Sequence, residues 1–366
     1  MTTPSLSKGN CDLGALTPYL IPETLRGKKV VNIGDGFILR AIERYVGVFL
    51  PQRTFSPRLA LGDDAVKLLE RSPAVIIAGA NQLNEHYTIW PSLTAERIQK
   101  GKLRFVPFGV GIHGDPRQTE RLSDETRAIL EAVHERIEYS SWRCPRTVAF
   151  LRREIPKRAG QLLMTGCPVI YDQPLLESER FSSAETAVAV TATERGEFWD
   201  RETWIIDAVT KRFRKAHRYF VVHQNFSPPT MWEGVRSLVP WYADGRCANR
   251  VNALRSYARK SGFEIVVPSS ADECIRFYEK VDIHVGSRLH AHLLFLSRNK
   301  RSYLVSIDDR SLGLAEHFGF PVLAPQELER SWDCDFEVVR SRARETHAVM
   351  ERFVKSLGDL HSRRGN

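Results

Sequence analysis

The sequence predicts an α/β protein built from two doubly wound domains. Its 366 residues exceed what one hydrophobic core usually organises. Short β-rich apolar runs alternate with amphipathic helical stretches almost throughout, the pattern of a parallel sheet with helical crossovers. That pattern runs through a second time in the C-terminal half. The hydrophobic fraction of 42% and charged fraction of 27% are ordinary for globular chains and exclude a disordered one. Gly 23 and Pro 19 are scattered without a period, which excludes collagen-like classes. No stretch approaches the ~20 apolar residues of a membrane-spanning helix.

In the first half, strands are expected at Lys29–Ile33, Ala74–Ala78, Leu103–Phe108, Arg136–Tyr139 and Gln161–Met164. Helical patterns lie between them, including Phe37–Val48, Ser123–His134 and Arg146–Glu154. The second half opens with a helix over Trp204–His217, where Ile205, Ile206, Val209 and Phe213 recur at helical spacing. Strands follow at Tyr219–His223, Glu264–Val267, Asp282–Val285 and Ser302–Ile307, with helices near Asn249–Ser261, Ala271–Tyr278 and Leu289–Arg298. A last helix closes the chain over about Phe336–Leu357. The expected division is 1–170 for the first domain, 171–197 for a Ser/Thr/Ala-rich linker and 198–366 for the second domain.

Lys+Arg 53 against Asp+Glu 44 gives a net charge of +9, which favours anionic partners. The excess is dispersed, and the densest cluster, Lys211–Lys215, ends a helical run where cations complement the helix dipole. No nucleic-acid motif accompanies it, so nucleic acid is not an expected partner. The basic balance is compatible with peripheral contact at an anionic membrane face. The 6 cysteines (Cys11, Cys144, Cys167, Cys247, Cys274 and Cys334) are widely spaced and form neither a disulfide framework nor a zinc pattern. The first residues lack the basic and apolar regions of a signal peptide, and a cytoplasmic location is expected.

The common cofactor fingerprints fail. Gly34-Asp35-Gly36 follows an expected strand, but Leu39 stands where a dinucleotide fingerprint needs its third glycine. There is no GxxxxGK[ST], HExxH or GxSxG. Asp333-Cys334-Asp335 has DxD spacing without a clear preceding strand and reads as a loop pair.

Three turns remain as candidate sites. Asn32-Ile33-Gly34-Asp35-Gly36 is either a ligand cradle or a tight turn in which Asp35 favours the helix start. Pro107 to Gly114 holds Gly109, Gly111 and His113, and its glycines suggest close approach of a ligand or of the other domain. The third, Gly286-Ser287-Arg288-Leu289-His290, ends a strand and opens a helix. Ser287 is placed to cap it. Arg288 and His290 put a bidentate clamp and a titratable proton donor where the helix end already favours an anion. Cations at a helix N-terminus cost stability, so the arrangement asks for a negative ligand. His290 and His292 project to opposite sides of the helix, which argues against a metal site with His284.

Taken in order, these motifs resemble the polysaccharide pyruvyltransferase family. Asn32-Ile33-Gly34-Asp35 resembles its N-x-G-D turn, Ala74–Gly79 its glycine-ended strand, and Gly109-Val110-Gly111-Ile112 its G-x-G-[IV] turn. Ile137–Arg143 followed by Thr147–Arg152, and then Thr165–Val169, resemble the next two blocks, with Cys167 in place of an aspartate. Arg288-Leu289-His290, followed about twenty residues later by Asp308-Asp309-Arg310 and a short helix, is the strongest match. The resemblance covers about residues 28–330.

It implies two Rossmann-like domains in a glycosyltransferase-B-like arrangement, with the site in the cleft between them. It further implies pyruvyl transfer from phosphoenolpyruvate to a saccharide, free or lipid-linked, with release of phosphate and no cofactor. The Arg288–His290 block would hold the donor together with Ser287 and Leu289, and the turns at Asn32, Gly34, Gly109 and Gly111 would line the acceptor side. His290 would be the general acid, and Asp35 or His113 would take the hydroxyl proton. The family carries a second arginine in a serine-x-arginine motif on the first strand of its second domain. Taking that strand as Tyr219–His223, no arginine stands at its end, and Arg310 or Arg143 is left to supply the charge. A nucleotide-sugar glycosyltransferase on the same architecture and a non-catalytic member of an envelope-synthesis assembly are the competing expectations.

Overall fold

The computed structural model describes residues 9–25, 31–113, 121–193, 198–224, 243–305 and 310–362. The first half holds β1 (Gly14–Leu16), β2 (Thr54–Phe55), β3 (Val75–Ala78) and β4 (Phe105–Phe108) in the parallel order β2-β1-β3-β4. Every residue of β3 and β4 is buried, as a strand covered on both faces requires. A parallel bridge from Val110 to Trp142 sets β5 (Ser140–Trp142) beside β4, and β5 pairs with β6 (Leu162–Met164). Around this sheet run α1 (Ile33–Val46), α2 (Asp63–Glu70), α3 (Asp124–His134) and α4 (Pro145–Glu154). The start of α3 follows its sequence closely: the Ser123 hydroxyl accepts from Thr126 N (3.2 Å), with Asp124 and Glu125 at the positive end of the dipole.

The second half is a parallel sheet of β7 (Ala187–Thr191), β8 (His217–Val221), β9 (Glu264–Val266), β10 (Ile283–Gly286), β11 (Ser302–Val305) and β12 (Val322–Leu323). Their order is β9-β8-β7-β10-β11-β12. Chain direction of winding reverses between β7 and β10, and in such sheets the crevice beyond the strand ends at that switch point is the place for a ligand. The helices are α5 (Trp199–Arg212), α6 (Ala243–Lys260), α7 (Ala271–Glu279), α8 (Leu289–Ser297) and α9 (Arg310–Phe318), followed by α10 (Glu337–Ser362).

Several expectations are corrected. β7 lies inside the expected linker 171–197 and is a central strand, because Ala187-Val188-Ala189-Val190-Thr191 is fully buried behind a polar lead-in. Of the expected strand Lys29–Ile33, residues 29 and 30 lie outside the described residues, while Asn32 caps α1 and Ile33 begins it. The strand expected at Arg136–Tyr139 sits at Ser140–Trp142. Its serines are buried because they have side-chain partners, His134 Nε2 for Ser140 (2.8 Å) and the Thr165 hydroxyl for Ser141. The closing helix α10 returns to the first half, where Phe353 meets Phe108 edge-on at 4.9 Å and His347 lies against Tyr45 and Tyr171.

Candidate active site at the crevice between the two halves

Two helix N-termini meet at this crevice, α1 from the first half and α8 from the second. Asn32 caps α1: its side-chain oxygen accepts from Gly34 N (3.2 Å) and its carbonyl from Asp35 N (3.0 Å). Ile33 N donates to His223 O (3.0 Å), and Asn32 bridges to Gln224 beyond β8. The glycines of this turn make room for protein. A Cβ on Gly34 would lie 2.9 Å from His290 Nδ1, and one on Gly36 would lie 2.5 Å from the Ala271 Cβ of α7. The close approach expected of a ligand is made by the facing half. Arg40, one turn further along, grips Asp272 with Nε and Nη2 (2.7 Å each), which holds that carboxyl below its ordinary pKa.

At the switch point, Gly286 has φ 149, and a Cβ there would come within 2.0 Å of Thr191 O. Only glycine lets β10 end so close to β7. Ser287 N donates to Thr191 O (3.1 Å), while its hydroxyl is buried with no hydrogen-bond partner. Ser287 therefore does not cap α8. The N-cap is Arg288, without a side-chain cap bond, and no acidic residue occupies the first turn. The Arg288 fork is engaged by backbone: Nε donates to Ala192 O (2.7 Å) and Nη2 to Thr193 O (3.0 Å). The bidentate clamp expected of that edge is thus made on carbonyls at the end of β7, which fixes the guanidinium at the switch point. Thr193 is itself held by the buried Glu202 of α5, which accepts from its N–H and its hydroxyl (2.6 Å).

Beneath the turn runs a buried polar chain. Thr191 Oγ1 and His284 Nε2 are 2.7 Å apart, and Ser302 Oγ lies 2.8 Å from both His284 Nδ1 and His292 Nδ1. Burial pushes the pKa of His284 down to about 3 and that of His292 well below the usual range. These histidines are neutral struts bonded to one hydroxyl. His223, at the end of β8, shares a hydrogen bond with Tyr278 Oη (2.6 Å) and is kept neutral by burial, with further help from Arg288, His284 and His290.

His290 is half-buried in the first turn of α8 beside Gly34, and Leu289 packs against the core next to it. Asp35 is 9% exposed in the first turn of α1. His113, by contrast, is exposed beyond the short strand Gly111–Ile112, with its N–H on Leu83 O (2.6 Å). Gly109 has φ 65 and abuts Pro168. Arg310 begins α9, and its side chain lies outside the described residues, as do Asp308 and Asp309.

A family model for polysaccharide pyruvyl transferases matches residues 32–309, from the α1 cap through the Arg288–His290 turn. The chain belongs to the polysaccharide pyruvyl transferase family. The family is one of enzymes that modify polysaccharides. No curated protein sequence matches the chain. Among solved structures, accessory secretory proteins 1, 2 and 3 of Streptococcus pneumoniae align with a TM-score of 0.44 at 10% identity, over 85% of this chain and 53% of that one. The chain thus spans about half of that relative's length. The wall teichoic acid polymerase TagF aligns at 0.41 and 10%, over 97% and 89%. MnaA of S. aureus, solved with UDP, aligns at 0.49 and 11%, over 92% and 91%.

In this family member the strand that opens the second sheet is β7, whereas Tyr219–His223 was expected to open it. Its end reads Thr191-Ala192-Thr193 and runs on into Glu194-Arg195, so an arginine does follow this strand, at residues outside the described ones, while Arg288 occupies the Ala192 and Thr193 carbonyls. Sequence reasoning missed Glu202, Thr193 and Ser302. A buried acidic residue in an amphipathic helix and a serine opening an apolar strand carry no signal until their partners are placed.

Proposed function

We propose that this chain transfers the pyruvyl unit of phosphoenolpyruvate to two hydroxyls of a saccharide, closing a cyclic ketal and releasing phosphate. The observation that carries the reading is the α8 N-terminus at the switch point. It presents the positive end of a helix dipole, a carbonyl-braced arginine, a buried unbonded serine hydroxyl and a first-turn histidine, with no acidic residue in the first turn to oppose an anion.

In this scheme the helix end, Ser287 and Arg288 bind the donor's phosphate or carboxylate and stabilise charge on the departing phosphate. His290 donates a proton to the methylene carbon, which becomes the methyl group. The cationic carbon so formed takes one sugar hydroxyl, the phosphate leaves, and the second hydroxyl closes the ring. One hydroxyl proton restores His290 and the other leaves with phosphate. Asp35, in the helix turn that abuts His290, is the better-placed group to take a hydroxyl proton and pass it on to His290, and His113 lies out in solvent.

The test is calorimetric titration of phosphoenolpyruvate into the wild type and Arg288→Ala, followed by phosphate release with saccharide acceptors. Binding abolished by the substitution supports the reading. A folded wild type that ignores phosphoenolpyruvate and binds a nucleoside diphosphate refutes it.

A further inference from the structure

We infer that Arg143, in the first half, is a second oxyanion-binding residue of the crevice, whose Nε–Nη2 fork takes a carboxylate or phosphoryl group of a substrate. Arg143 follows β5 at the end of the parallel strands, where the turns after β4 and β6 also gather. It is 3% exposed. Its N–H donates to Val110 O (2.9 Å), which fixes the start of its stem, and Nη1 donates to the neutral Asn81 Oδ1 (2.6 Å). Nε and Nη2, the edge that grips oxyanions in pairs, are both buried without a hydrogen-bond partner.

A guanidinium keeps its charge at any physiological pH, so this edge cannot escape by deprotonating. Cys167 is buried nearby, and burial holds its thiol pKa up despite the guanidinium, so a neutral thiol rather than a thiolate faces the arginine. Arg340 is the internal contrast. Equally buried at 3%, it places Nη1 on Glu179 O and Glu337 and Nη2 on Asn299 Oδ1 (2.6 Å). Arg340 leaves its Nε alone without a hydrogen-bond partner, whereas Arg143 leaves both atoms of the fork. A buried charge without a partner is unfavourable, and an oxyanion that completes the fork removes the penalty.

The location fits a shared crevice. Cys144, the next residue, meets Gly313 of α9 from the facing half, and Arg146 is paired there with Glu316. The 3-10 turn Pro168–Ile170, directly after Cys167, packs on both α1 and α8, the helices that meet at His290. The inference rests on the pyruvyl reading only for which molecule brings the oxyanion: the donor's second acidic group or an acidic group on the acceptor side.

The experiment is thermal melting of the full chain in phosphate-free buffer, then with inorganic phosphate, phosphoenolpyruvate or uridine diphosphate, for wild type, Arg143→Met and Arg143→Lys. The expected result is a rise in wild-type Tm with at least one anion. Arg143→Met should melt no lower than wild type without anion and lose that rise. Arg143→Lys, which keeps the charge without the fork, should respond at least about ten-fold more weakly and decides the matter if the methionine variant does not fold. A rise that survives in Arg143→Met, an unchanged response in Arg143→Lys, or a wild type indifferent to all three anions overturns the inference. A wild type that answers phosphate through Arg143 but ignores phosphoenolpyruvate leaves Arg143 standing and removes the donor reading. A phosphoenolpyruvate response that needs Arg288 and not Arg143 does the reverse.

Discussion

Acidification should unfold this protein well before its carboxylates titrate, because four buried histidines are folded in their neutral form. Burial pushes His134 down to about 4 and His284 down to about 3, and lowers His223 and His292 well below the ordinary range. Each takes no proton in the native state, whereas the unfolded chain protonates the same imidazole near pH ~6.5. Stability is therefore present above that value and is lost as the pH falls through it towards the native pKa values. Between about pH 7 and pH 5 each such group removes about 2 kcal/mol, and the four together remove several kcal/mol. That is comparable to the whole stability of an ordinary domain, about 5–15 kcal/mol. Urea midpoints at about pH 7, 6 and 5, read beside calorimetric Tm, measure the loss. His284→Gln keeps an amide between Thr191 and Ser302 and should flatten the pH dependence by about a quarter. A total change below about 2 kcal/mol, the share of one histidine, would refute the assignment of neutral struts.

Two further substitutions separate site from scaffold. Gly34→Ala drives a methyl to 2.9 Å from His290 Nδ1, and Gly36→Ala drives one to 2.5 Å from Ala271 Cβ. Both should destabilise by about 1–3 kcal/mol in thermal melts, but only the Gly34 variant should lower kcat by an order of magnitude or more. Glu202→Ala leaves the buried Thr193 N–H without its acceptor and should reduce stability by about 1–3 kcal/mol. Because Thr193 O braces Arg288, the same change should raise the donor KM more than it lowers kcat, as steady-state kinetics with varied phosphoenolpyruvate would show.

Much of the architecture is legible in the sequence because parallel strands buried on both faces read as bare apolar runs. Val75–Ala78, Phe105–Phe108 and Ile283–Gly286 fall within a residue or two of their expected places. Two kinds of element escape. β1 is a three-residue strand, Gly14-Ala15-Leu16, too short to show a period. β7 is disguised by its small residues, since alternating alanine and valine after a serine-rich stretch resembles a linker until the neighbouring strands bury it. The site divides in the same way. The strand-to-helix turn at Gly286–His290 is visible because cations at a helix start break a local rule. The partners that give each group its role, Thr193 for Arg288 and Ser302 for the two histidines, come from about 95 and 10 to 18 residues away in the chain. No local pattern encodes them.

The glycine-rich turns show how far local reading reaches. Each invites two explanations, a ligand against the backbone or protein against it, and the space around each Cα decides. His290 stands over Gly34, Pro168 over Gly109, Thr191 over Gly286, and Asn81 Oδ1 over Gly111 at 2.7 Å. Every one of these neighbours is protein, so ligand recognition falls to side chains and helix ends, and the glycines act by letting those groups come close. Gly111 puts this to a sharp test. Alanine there leaves the Arg143 fork untouched but pushes Asn81 off its 2.6 Å contact with Nη1, the bond that aims the guanidinium. If the glycine serves the arginine, Gly111→Ala should weaken the anion-induced rise in Tm several-fold, and Asn81→Ala, which removes the bond without introducing a clash, should weaken it equally with less loss of stability. If the glycine instead faces the ligand, Gly111→Ala should abolish the rise while Asn81→Ala leaves it intact, and the assignment of this turn to packing would be wrong.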